Sequence, residues 1–421
     1  MDAWIAGAVF VAAYVLIALD RVDRTLVALL GGLAVIALGV IDQHEAFAAI
    51  DLNVIFLLAG MMVIASVLAR TGFFEWLAIH SVHLSRGEPL RLLLILSLVT
   101  AVLSAFLDNV TTVVLTTPIT LSIARRLGVS PMPYLISQIL AANIGGTATL
   151  IGDPPNILIG SAAGLDFGAF LVNLGPVTVL VFLAFVVVMR VAFRHSLQVP
   201  DAQKEAALER TESATITDRR LLVAALVVVG LTMVGFLAHS ALGLEAGTIA
   251  LLGATVLMLV GRLDPHEAFR EVEWSTLFFF VGLFVLVQSV VHVGIVGGIA
   301  DWLAEASAGD IGVASIGLLW FSALASAIID NIPYTATAIP VVQQLVESGL
   351  PAEPLWWSLA LGACLGGNLT IVGASANVVV ANRAMQAGHP IRFVEFFRYG
   401  AVVVVASLVI STAYIWIRYL G

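Results

Sequence analysis

The sequence predicts an all-α membrane protein built from two inverted-topology repeats of five transmembrane helices each, with a re-entrant hairpin and a broken helix per repeat. Three observations carry this reading. Hydrophobic residues make up 60% of the 421 positions and charged residues only 11%, with a mean hydropathy of +1.06; a soluble domain carries roughly 25% charged residues. Many apolar runs approach the ~20 residues that a helix needs to cross the hydrocarbon core. The second half also repeats the first, 222 positions on: Leu29-Leu30-Gly31 returns as Leu251-Leu252-Gly253.

The repeat holds its register across most of each half. Gly39, Gly60 and Gly72 match Gly261, Gly282 and Gly294. Asp42-x-His44-Glu45-Ala46-Phe47 matches Asp264-x-His266-Glu267-Ala268-Phe269, Asp108-Asn109 matches Asp330-Asn331, and Pro118 matches Pro340. After a shift of one residue, Gly145-Gly146, Thr149, Gly152 and Asn156 match Gly366-Gly367, Thr370, Gly373 and Asn377. The chain therefore divides into a repeat over 1–193, a polar linker over 194–219 that carries both charge signs, and a second repeat over 220–421.

Spans are predicted at 3–19, 25–41, 53–69, 133–163 and 168–193, then at 220–240, 245–263, 274–292, 354–381 and 395–418. The first run lacks a basic flank and a small-residue cleavage site, so it reads as a span rather than a signal peptide. Between the third and fourth spans of each half lie two apolar arms separated by Asp-Asn. They are 91–107 with 110–126, and 312–329 with 332–346, and each pair reads as a re-entrant hairpin. Five crossings per half invert the second repeat. With both termini outside, every Lys and Arg except Arg418 falls in or next to an inner loop, which is the positive-inside pattern. The same pattern would arise if each hairpin crossed the bilayer fully. Residues 72–85 read as an amphipathic surface segment with Trp76 and His80 at the interface.

Inverted repeats with interrupted helices are the mark of secondary transporters, with the site at the midplane. In Asn143-Ile-Gly-Gly-Thr-Ala-Thr-Leu-Ile-Gly-Asp-Pro-Pro-Asn156, Gly145-Gly146 can stop a helix and Pro154-Pro155 can only begin one. Asp153 is then the expected N-cap of the new half-helix. Gly366-Gly-Asn-Leu-Thr-Ile-Val-Gly-Ala-Ser-Ala-Asn377 repeats the pattern, with Ser375 as the expected cap. Asp108 and Asp330 sit at the hairpin tips, where they can cap the returning arms. An acid at membrane depth costs roughly 2.5–3.5 kcal/mol on insertion scales, whereas Ser or Asn would cap without that cost. This points to ion or proton coupling by Asp108 and Asp330, with Asp153 as a third candidate.

Candidate substrate-binding groups are Asn109, Thr111, Thr112, Asn143, Gly145, Gly146, Thr147, Thr149, Asn156, Asn331, Asn368, Thr370, Ser375 and Asn377. No Lys or Arg falls within a predicted membrane core, so the site reads as rich in neutral donors and without a fixed cation. Such a site suits a small hydroxylated solute, a monovalent cation or a proton better than a dianion. The repeated Asp-x-His-Glu-Ala-Phe reads as a helix cap with a packed Phe, because its two copies lie on opposite membrane faces and cannot share a metal. Cys364 is the only cysteine; one thiol cannot supply the three that tight chelation of trivalent arsenic would use, and a buried Cys usually serves packing.

The Gly-Asp-Pro-Pro-Asn run with Asp108-Asn109 upstream resembles the ArsB/P-protein branch of the ion transporter superfamily. That branch includes bacterial arsenite permeases and, more distantly, NhaD-type sodium/proton antiporters and divalent anion/sodium symporters. The resemblance implies a scaffold part and a transport part, no cofactor and no catalytic residue. It also implies efflux of arsenite or antimonite through a bacterial plasma membrane, driven by an ion or proton gradient. The symporters carry Ser-Asn-Thr at their hairpins; here Asp108 and Asp330 stand in place of that serine, which argues against dicarboxylate transport. A sodium/proton antiporter and an anion symporter on the same scaffold are the rival readings. The expected partners are lipid, the inorganic substrate with H+ or Na+, a second copy of the chain and, in the manner of some arsenite permeases, a soluble ATPase at the linker. No Walker A motif is present and no nucleic acid is expected.

Overall fold

The computed structural model describes residues 1–19, 21–197, 216–307 and 309–421, and among these it is helical throughout, with no strand. The first repeat runs α1 (Asp2–Leu19), α2 (Arg24–Ala37), α3 (Gln43–Ala48), α4 (Leu52–Arg70), α5 (Phe73–Ser85), α6 (Pro89–Phe106), α7 (Asn109–Leu127), α8 (Met132–Gly146), α9 (Pro154–Ala163) and α10 (Phe167–Phe193). The second runs α11 (Arg219–Leu242), α12 (Ala246–Gly261), α13 (Pro265–Arg270), α14 (Trp274–His292), α15 (Ile295–Ala306), α16 (Ile311–Ile329), α17 (Asn331–Glu347), α18 (Ala352–Gly366), α19 (Ser375–Gln386) and α20 (Phe393–Ile415). Eight of these helices are long and apolar enough to cross a membrane. Their outer faces are exposed and apolar, as at Leu183, Val187 and Val191 of α10 and Leu231 and Val234 of α11, which is what lipid-facing helices require.

Much of the acid content serves helix starts. Asp23, Asp51, Asp108, Asp166, Asp218, Asp310 and Asp330 each accept a backbone N–H in the first turn of the helix that follows, satisfying donors that a helix leaves open. Asp42 and Asp264 do the same for α3 and α13. The phenylalanines of that repeated motif are not packed as expected. Phe47 and Phe269 are 51% and 45% exposed, while Ala46 and Ala268 turn inward. A six-residue helix presents one narrow buried face, and Ala takes it.

Helices α1, α2, α4, α11, α12 and α14 pack as one group, and α6 to α10 with α16 to α20 pack as the other. In the first group the pseudo-twofold is visible atom by atom. A Cβ on Gly60 would lie 2.6 Å from the Ala250 carbonyl carbon, and one on Gly282 would lie 2.5 Å from that of Ala28; the two glycines, like the two alanines, are 222 positions apart. Ionic clasps repeat in the same way. Arg70 holds Glu267 at 3.2 Å, and His292 holds Glu45 at 2.9 Å. The hydrogen bond from His292, with a second from Gln288, keeps the Glu45 carboxyl below its usual range.

The segment expected at 72–85 is the helix α5, without marked amphipathic character, and its repeat mate is the amphipathic α15, for which no element is predicted. The predicted linker falls largely on residues 198–215, outside the described residues. The hairpins are α6–α7 and α16–α17. Asn109 and Asn331, one at each tip, donate to the same carboxylate, Asp153. Tips of fully crossing hairpins would lie on opposite membrane faces, so both hairpins turn back inside the fold and meet there.

Candidate substrate and ion site

The fourth span of each repeat is broken as the glycines and prolines predict. Helix α8 stops at Gly146 and α9 starts at Pro154; α18 stops at Gly366 and α19 starts at Ser375. Between the halves the backbone is open, and its polar groups must find partners without water. Asn156 Nδ2 donates to the carbonyls of Gly146, Thr147 and Thr149 at 3.4, 3.2 and 2.8 Å. Its mate Asn377 donates to Gly367 O and Thr370 O at 2.7 and 2.9 Å. Thr149 and Thr370 tie each break to its hairpin through Ala105 O and Ala327 O, both at 2.5 Å, and Thr147 donates to Asn143 O at 2.8 Å. The donors of these five residues are committed to backbone. Asn156→Ala would leave three buried carbonyls short of a donor, each worth about 1–3 kcal/mol. The expected result is a fall of several degrees in the unfolding temperature of the detergent-solubilised protein, and an unchanged melting curve would refute this role.

The remaining amides form one connected network. Asn109 Nδ2 donates to Asn143 Oδ1 at 3.0 Å and to Asp153 Oδ1 at 3.1 Å. Asn331 Nδ2 reaches both oxygens of Asp153, at 3.1 and 3.3 Å. Asn143 Nδ2 donates to Asn368 Oδ1 and Asn377 Oδ1, both at 2.9 Å, and Asn368 donates to Leu140 O at 3.3 Å. Two hairpins and two broken helices are thus joined through side chains that are fully or almost fully buried. Four helix N-termini, those of α7, α9, α17 and α19, begin beside the network. Each offers about half a positive charge and open N–H groups.

Two expected caps behave otherwise. Asp153 occupies the N-cap position of α9, but its carboxylate makes no cap hydrogen bond and turns to the two tips instead. Ser375 is the first residue of α19, after the N-cap Ala374, and its hydroxyl donates to Asp330 Oδ2 at 2.8 Å. Asp108 and Asp330 do cap, accepting from Thr111 N at 2.7 Å and Ile332 N at 3.0 Å. At the first tip, Asn109 Oδ1 and Thr112 Oγ1 are buried with no hydrogen-bond partner among the described residues. Buried polar atoms are nearly always paired, so an unfilled demand sits beside Asp108. The Cys364 thiol packs against Asn156 Oδ1 at 3.4 Å and beside Asp153.

The expectation of a site without a fixed cation does not hold. Arg24, the first residue of α2, reaches Asp330 Oδ2 at 3.5 Å and hydrogen-bonds Ser375 Oγ. It lines a cavity of about 200 Å³ with Ile17, Asp23, Ile329, Asp330 and Ser375. The predicted span 25–41 stopped one residue short of it. The signal was present in the repeat: the position matching Arg24 is Ala246, so this charge has no counterpart to explain it as a loop residue.

Comparison with known proteins agrees with this architecture. The model of the citrate transporter (CitMHS) family matches residues 14–362. An uncharacterized transporter of Mycobacterium tuberculosis is 46% identical over 99% of this chain and 98% of its own length. The human P protein is 35% identical over 99% of this chain, which spans 60% of that longer protein. The crystal structure of the Alcanivorax borkumensis YdaH transporter superposes with a TM-score of 0.60 at 16% identity, covering 99% of this chain and 97% of that one, which is a likeness of fold. With a matched region that takes in both hairpins and most of both repeats, this multi-pass membrane protein belongs to the citrate transporter (CitMHS) family of membrane transporters.

Proposed function

We propose that this chain is a gradient-driven secondary transporter that exports a small hydroxylated solute, arsenite or antimonite, by alternating access between its two packed groups of helices. The observation that carries this reading is the single carboxylate of Asp153 shared by the tips of both hairpins. A proton or cation arriving there changes the bond that joins the two repeats, which couples an ion to movement. Arsenite at neutral pH is a neutral trihydroxide, able to donate to Asn109 Oδ1 and Thr112 Oγ1, the two unpaired groups at the first tip. Of the three acids at the tips and break, Asp330 faces Arg24, leaving Asp108 and Asp153 for the coupling ion. The arginine-rich face would be cytoplasmic, with both termini outside a bacterial plasma membrane.

A second reading is transport of a carboxylate anion. It is favoured by the Arg24 guanidinium in its cavity and by the substrate in the name of the matching family. Arg24 already engages Asp330, so an incoming anion would have to displace that partner, and this keeps the reading second. Everted membrane vesicles containing the protein separate the two. Gradient-dependent uptake of arsenite, lost in Asp108→Asn, supports the first. Uptake of labelled citrate with no arsenite uptake overturns it in favour of the second. Sodium-driven proton movement with neither substrate would make the protein a plain antiporter.

A further inference from the structure

The two hairpin tips match in sequence but not in their surroundings. At the second tip, Arg24 engages Asp330 and Ser375. Ten residues earlier, Tyr14 of α1 donates to Pro333 O at 2.8 Å and shares a hydrogen bond with Thr337 Oγ1 at 2.5 Å. Both ties join the α1–α2 group to the hairpin. Their repeat mates are Ala246 and Phe236, which can make neither bond. At the first tip, no Lys or Arg among the described residues lies within ion-pair distance of Asp108, and Asn109 Oδ1 and Thr112 Oγ1 go unpaired. The backbone differs as well. Asp108 sits at a relaxed φ of −85°, whereas Asp330 is held at φ +90°, a strained conformation that a non-glycine residue keeps only where its surroundings enforce it.

We propose that Arg24 is a resident counter-cation and latch for the second tip: while it holds Asp330 and Ser375, that tip is closed to a transported cation, ion exchange runs through the first tip, and releasing Arg24 frees the second hairpin and α19 to move. The inference deepens the transporter reading and rests on it for ion exchange, but the latch itself is tested without any substrate. Arg24 is a positioning residue, acting through Asp330. The strained turn at Asp330 fits this role, because the latch supplies the force that keeps the backbone there. A residue tethered to α2 also costs little entropy to bring back, unlike a free ion.

The chain contains its own reporter. Cys364 is the only thiol, fully buried behind Asp153, so its alkylation by N-ethylmaleimide measures opening of the site. In proteoliposomes, Arg24→Ala should speed alkylation on the order of tenfold, within the range of coupling between contacting residues. Asp330→Asn should speed it by a similar factor. The double variant should match either single, because all three remove one latch. Guanidinium ion added to Arg24→Ala should slow the reaction again, while urea should not. Equal rates in the wild type and both single variants would overturn the proposal. So would acceleration that guanidinium leaves untouched, since Arg24 would then only fill space. If Arg24→Ala does not fold, Asp330→Asn and Arg24→Lys carry the test, the first expected fast and the second close to wild type. Failure of arsenite transport in vesicles would sink the substrate assignment and leave these rates readable.

Discussion

Asp153→Asn is expected to lower transport by at least about a hundredfold while leaving a folded protein. The carboxylate accepts from Asn109 at one tip and Asn331 at the other, so among the described residues it is the acid that joins both tips. An amide keeps the shape and one acceptor. It removes the charge, and it turns the second oxygen into a donor that faces the Asn331 amide at 3.3 Å. Two hydrogen bonds to a charged group are worth roughly 1.5 kcal/mol or more each. The retained oxygen still accepts from both tips but as a neutral group, and that weakening together with loss of the Oδ2 bond comes to about 3 kcal/mol, which corresponds to a rate factor of about a hundred or more. The measurement is gradient-driven flux in vesicles, normalised to protein that elutes as a single species in detergent. Retention of more than about a tenth of wild-type flux would show that Asp153 is only a structural joint between the tips. Glutamate is a sharper probe of geometry than of charge. Its extra methylene must be fitted where Asp153 is wholly buried, so Asp153→Glu should also fail, though by misplacing a carboxylate rather than removing it.

The same residue marks where sequence reasoning ran out. The break itself was legible, because glycine pairs stop helices and proline pairs start them, and the structure breaks α8–α9 and α18–α19 there. The membrane spans, the hairpin arms and the Asp-Asn tips followed from hydropathy and from a repeat of fixed period, while α15 did not. The direction of a side chain did not. Asp before Pro-Pro reads as an N-cap, and it stands at that position, yet the pull of two amides from distant hairpins turns it away. Those amides lie 44 residues before it and 178 residues after it, and no local rule connects them. Arg24 was missed for a related reason. Hydropathy ends a span at the first charge, so an arginine that folds back toward a buried acid is assigned to the loop. Ala246 in the matching position, and Phe236 opposite Tyr14, were the available clues that the repeats had diverged just where they meet the second hairpin.

Gly145→Ala should cost the protein its fold, although it adds one methyl group. A Cβ at Gly145 would lie 2.1 Å from Ala101 O and 2.5 Å from Ala101 Cα. Both atoms belong to the backbone of α6, so no side chain can rotate away. Helices α6 and α8 would have to separate, and with them the tip at Asn109, which meets the break through its N–H to Gly152 O at 3.1 Å. The second repeat has the same contact: a Cβ on Gly366 would lie 2.4 Å from both Cα and O of Ala323. Small residues commonly let transmembrane helices approach closely. Overpacking a well-filled core typically costs 1–3 kcal/mol and occasionally more, and a clash with two backbone atoms belongs at the upper end. Gly230 is the control. It is exposed on α11, and a Cβ there meets nothing within 4 Å, so Gly230→Ala should be neutral or gain up to about 1 kcal/mol from helix propensity. Size-exclusion profiles and melting curves in detergent decide the matter. Gly145→Ala and Gly366→Ala should each give aggregate or a sharply lowered transition beside an unaltered Gly230→Ala. If the three variants melt together, the close approach of α6 to α8 and of α16 to α18 is not what holds the two breaks against their hairpins.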